Sequence, residues 1–95
     1  MIKNRQDSAE SLALQGLAWL AGQDESFGAF LAQSGSDAAG IRARAAEPEL
    51  LGSVLDFLLS DEGLLLRFCA EAGFAPDAPM RARALLPGGE VPDWT

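Results

Sequence analysis

The sequence predicts an all-α protein: about six helices in two similar three-helix units, closed into one compact helical bundle. Three observations lead there. Leu and Ala dominate the apolar residues, Tyr is missing and β-branched residues are few, a mix that favours helix over sheet. Apolar side chains recur at three- and four-residue intervals between glycine, proline and acidic breaks. The chain also nearly repeats itself. Asp24-Glu25, Phe30-Leu31-Ala32-Gln33-Ser34-Gly35 and Ile41-Arg42-Ala43-Arg44-Ala45 return as Asp61-Glu62, Phe68-Cys69-Ala70-Glu71-Ala72-Gly73 and Met80-Arg81-Ala82-Arg83-Ala84. The offset grows from 37 residues at the acidic pair to 39 at the Arg-x-Arg pair. Each unit thus has an acidic start, an apolar helix, a glycine stop and a short Arg-x-Arg helix, the signature of an internal duplication.

The first helix is expected from about Ser8 to Gly22, with Asp7 or Ser8 as cap and Glu10 three residues after Asp7 as in a capping box. At 100° per residue Leu12, Ala13, Gly16, Leu17, Leu20 and Ala21 fill one side. Leu14, Ala18 and Trp19 carry apolar surface around much of the rest, so this helix needs cover on more than one side. Gln23-Asp24-Glu25-Ser26 starts the second helix, whose Phe27, Phe30 and Leu31 share a face until Gly35 stops it in the left-handed conformation. Ser36 or Asp37 caps a short third helix carrying Ile41.

Pro48 suits the first turn of a fourth helix running to about Ser60. Its Leu50, Leu51, Val54, Leu55, Phe57, Leu58 and Leu59 cover an arc of about 200°, wider than one buried stripe requires. Such a helix either crosses the middle of the domain or meets another chain. Asp61-Glu62-Gly63 resets the register, and Leu64, Leu65, Phe68, Cys69 and Ala72 form the next apolar side, opposite Arg67 and Glu71. Gly73 ends that helix. Asp77, two residues before Pro79, caps the last one, which runs through Leu86. Residues 1–7 and 87–95 lack periodicity and read as a flexible N-terminus and a flexible acidic tail around one domain, 8–86, made of units 8–46 and 47–86.

Ninety-five residues allow one core, and 48% hydrophobic residues are enough to build it. Fourteen acidic against seven basic residues leave a formal charge of −7, which repels phosphate backbones and anionic lipid and attracts basic partners. The single cysteine cannot close an intramolecular disulfide, and with no histidine the expected setting is the reducing cytoplasm. Lys3 and Arg5 ahead of the apolar stretch Leu12–Ala21 imitate a signal peptide, but Asp7, Glu10 and Gln15 argue against export. No apolar run approaches the ~20 residues a membrane-spanning helix needs.

Enzyme chemistry finds little to work with. Histidine, the commonest general acid/base and metal ligand, is missing, and no phosphate loop, nucleophile elbow or paired-cysteine motif stands in its place. Asp24-Glu25 and Asp61-Glu62 sit at helix starts, where the helix dipole favours negative charge for structural reasons. Cys69 lies on the apolar side of its helix and reads as a buried small hydrophobe. The expectation is therefore no catalytic residue, no metal and no cofactor.

Arg42, Arg44, Arg81 and Arg83 are the sharpest feature. Helix, Gly35, helix and Ile41 resemble the spacing of a helix-turn-helix, which would bring Asp37, Ala38 and Arg42 nearest to bases. Yet residues two apart on a helix point about 200° from each other, so neither pair can face one groove, and the overall charge opposes binding. The second copy also carries an extra residue and puts Pro79 where the apolar position belongs. The better reading makes these arginines staples in last helical turns, reaching Glu47, Glu49 or Asp24.

Ala-Leu-Gln-x-Leu-Ala-Trp-Leu-Ala at 13–21, Phe-Leu-Ala-x-x-Gly, Val-Leu-Asp-Phe-Leu-Leu-x-Asp-Glu at 54–62 and the closing Arg-Ala-Arg-Ala-Leu together resemble a family of small bacterial proteins known as domain of unknown function 3572. The resemblance covers residues 9 to 86. It implies a small all-helical protein and brings no catalytic or binding residues to carry over.

Function is then expected to be non-catalytic: a cytoplasmic protein-interaction domain whose partner is a second copy or another protein. The candidate interface comprises Leu14, Ala18 and Trp19 of the first helix, Leu50 and Phe57 of the fourth, and Trp94 in the tail. The alternative is a helix-turn-helix-like nucleic-acid binder using Arg42, Arg44, Arg81 and Arg83.

Overall fold

A computed structural model describes residues 5–86. Six α-helices follow in order: α1 (Arg5–Ala21), α2 (Asp24–Ser34), α3 (Ala38–Ala43), α4 (Pro48–Leu59), α5 (Glu62–Ala72) and α6 (Ala78–Ala84). No strand occurs among the described residues, so the all-α expectation holds.

Most helix ends fall where local chemistry puts them. Gly35 and Gly73 close α2 and α5 at φ +69° and +82°, a left-handed conformation that costs other residues ~1–2 kcal/mol. The Asp37 and Asp61 carboxylates accept from the Gly40 and Leu64 backbone N–H groups at 2.7 and 3.1 Å, satisfying donors that α3 and α5 leave free in their first turns. Pro48 opens α4 at a position where the missing N–H costs no helical bond.

One helix start and one capping bond differ from expectation. Nothing from Arg5 to Ser8 breaks a helix, so α1 starts three residues before Ser8 and the expected capping box falls inside its first turns. Asp77 already has helical backbone angles, φ −92° and ψ −4°, and makes no side-chain cap. Its carboxylate lies instead 3.5 Å from Arg81, one turn on.

The wide apolar arc of α4 is explained by its place in the centre. Leu50, Leu51, Gly52, Val54, Leu55 and Leu58 are all buried, because α1, α5 and α6 pack against this one helix. From α1, Leu12, Ala13, Leu17 and Leu20 close the other side of the core. Gly16 lets the two backbones approach: a Cβ there would stand 3.2 Å from Leu58 Cδ1 and 3.7 Å from Val54 Cγ1. Pro79, Ala82 and Leu86 complete the core from α6 and the turn after it. Phe30, Ile41, Leu64, Phe68 and Cys69 close its periphery. Ala72, expected on the apolar side of α5, is exposed.

Packing does not follow the sequence repeat. α6 lies extensively on both α1 and α4, whereas its counterpart α3 has no comparable contact with either. The third helix of each sequence unit is therefore packed differently.

Candidate interaction surface

The six expected interface residues separate into different environments. Leu14 is 47% exposed and Ala18, one turn on, is exposed as well. They form an open apolar strip on the side of α1 away from α4. Leu50 corrects the expectation: at 2% exposure it belongs to the core, since α4 runs through the centre instead of along an edge. Phe57 is half-buried and packs edge-on against Phe30, ring centroids 5.4 Å apart, so it is used in tying α4 to α2. Trp94 lies outside the described residues.

Trp19 is also engaged within the chain. Its indole packs on Phe68 of α5 at 5.7 Å, and its Nε1–H donates to Glu71 Oε1 at 2.8 Å. Arg67 sits over the same ring, 5.6 Å from the centroid, and donates to Gln23 Oε1 at 2.9 Å. The Arg67 and Glu71 side chains, expected opposite the apolar side of α5, thus both turn to the indole and fasten α5 to the end of α1.

Three further exposed apolar side chains were not singled out by the sequence: Leu66 on α5, and Met80 and Leu85 in and just after α6. Met80, 60% exposed, is the most open of them. It aligns with Ile41 of the first copy, which is 2% exposed. The extra residue in the second copy is the signal that separates them: it shifts the alignment by one position, and Pro79, the residue before Met80, is the buried one. Since α6 packs against α1, Met80 and Leu85 belong to the same pair of helices as Leu14 and Ala18.

The arginines divide in a similar way. Arg83 forms a two-point fork on Asp56 of α4, Nε to Oδ1 at 2.6 Å and Nη2 to Oδ2 at 3.0 Å, with only 16% of its side chain exposed. Arg44 reaches Glu47 at 3.3 Å, one of its expected acceptors, and contacts Ser36 at 3.5 Å. Arg81 pairs with Asp77 in solvent, the two side chains 70% and 58% exposed. Arg42 is exposed.

For chemistry there is little on offer among the described residues. No group of three or more Cys, Asp or Glu side chains is placed to hold a metal ion. Cys69 is buried, and desolvation raises its thiol pKa above the ordinary value, which keeps it protonated and unreactive near neutral pH. A half-open cleft of about 150 Å³ is lined by Phe30, Gln33, Ser34, Ser53 and Asp56. No described helix is long and apolar enough to cross a membrane.

No curated protein and no solved structure matches the chain. One family model does, over residues 6–89, and its span takes in all the helices from α2 onward and nearly all of α1. The chain therefore belongs to the family described as protein of unknown function DUF3572.

Proposed function

We propose that this protein is a non-catalytic helical interaction domain that meets a protein partner, a second copy of itself or another chain, through the apolar side chains left open on α1 and α6. The observation that carries the reading is the exposure of Leu14 and Met80, 47% and 60%, on two helices that pack against each other. Apolar area of this kind gains ~25 cal/mol per Å² when a partner covers it. A formal charge of −7 favours a basic partner, and the buried lone thiol suits the cytoplasm as its location.

Support for nucleic-acid binding through Arg42, Arg44, Arg81 and Arg83 is thinner. Three of the four have carboxylate partners, and Arg83 would have to give up its fork on Asp56 to reach a phosphate.

Light scattering over a dilution series, on the wild type and on Leu14→Glu and Met80→Glu, tests the interaction reading. A wild-type mass above that of the monomer, restored to monomer by either substitution, identifies a second copy as the partner. If the wild type is monomeric throughout, affinity capture with the three proteins as bait decides the rest. A partner held equally by all three, or held by none, would remove α1 and α6 as the contact surface.

A further inference from the structure

We draw no further inference here: the strongest candidate, the half-open cleft between α2 and α4 lined by Phe30, Gln33, Ser34, Ser53 and Asp56, carries nothing, because its carboxylate already holds Arg83, both its serine hydroxyls donate to carbonyls of their own helices, and nothing in the structure shows what would occupy it.

Discussion

Arg81 and Arg83 stand two positions apart on one short helix, and their environments differ as the helical period requires. With ~200° between them, only one can turn towards α4. That one is Arg83, whose fork on Asp56 joins residues 27 apart in sequence and is partly shielded from water. A two-point guanidinium–carboxylate pair with a shielded arginine, though its aspartate is 57% exposed, reaches the upper end of the usual surface value, ~1 kcal/mol, whereas an open i,i+4 pair such as Arg81–Asp77 adds little. Arg83→Ala should accordingly lower the melting temperature by several degrees, since ~1 kcal/mol shifts a domain of this size by ~4–8 °C. Arg81→Ala should leave it almost unchanged, and equal losses in the two variants would remove the distinction. The staple was legible as a residue type, but the choice between the two arginines was not. It depends on which side of α6 meets α4, which only the packing of the two helices decides. Cys69 gives a second test at this scale. Below about pH 8.5 the folded and unfolded states both keep the thiol proton, so the raised folded pKa has no effect on stability. Above it the unfolded chain loses the proton first and binds fewer protons than the folded one, so stability falls as pH rises. Without His or Tyr few other groups titrate there. The urea midpoint should drop from pH 7 to pH 10 in the wild type and change less in Cys69→Ala.

Helix boundaries were readable wherever a stop or start depends on a single residue's own conformation. Gly35 and Gly73 are the clearest cases, because a left-handed backbone is set locally and a side chain there is strained whatever surrounds it. Gly73→Ala should therefore cost ~1–2 kcal/mol in chemical denaturation, although a Cβ at this position would meet no atom within 4 Å. A neutral result would mean that the end of α5 relaxes to another conformation. The start of α1 and the capping bond of α6 were misjudged for the complementary reason: Asp7, Ser8 and Asp77 are all good caps by type, yet a cap needs extended backbone to aim its oxygen at the free N–H groups. Asp77 has helical angles, and at α1 the helix simply continues past both candidates. Gly16 is of another kind, since its place on the buried side of α1 is visible in the sequence but the need for a bare backbone there is not. Only the crossing with α4 creates that need. A Cβ would press on Leu58 Cδ1, the movable end of a side chain, so Gly16→Ala should be close to neutral, its gain in helix propensity offsetting the crowding. Gly16→Val, with two further carbons directed at Leu58, Val54 and Phe68, should destabilise by ~1–3 kcal/mol.

At the scale of the molecule, the sequence repeat and the packing part company. Fold class and helix number were legible because they follow from periodicity and punctuation, which each segment carries for itself. The symmetry was not, because it depends on contacts between segments. Beside the inserted residue Pro79 is buried and Met80 exposed where the aligned Ile41 is buried, and the last helix lies across both α1 and α4 while α3 does not. The exposed apolar side chains were partly legible for the same reason: Leu14 and Ala18 stand out as surplus on α1, but Met80 aligns with the buried Ile41 and does not. This asymmetry predicts how the two units behave apart. If each were an independent repeat, residues 5–46 would fold alone. In the intact chain, however, the buried side of α1 rests chiefly on α4 and α6, and Gly16 is fitted to Leu58. Removing residues 47–95 would leave Leu12, Ala13, Leu17 and Leu20 with little more than Phe30 and Ile41 to cover them. A chain of ~40 residues already lies at the limit of what buries enough surface to fold unaided. The fragment 5–46 should therefore have weak far-UV helicity and no cooperative thermal transition, and should gain both when mixed with fragment 47–95, which returns α4 and α6 to α1. A fragment 5–46 that melts cooperatively on its own would mean that the units are autonomous and that α1 can bury its apolar side against α2 and α3 alone.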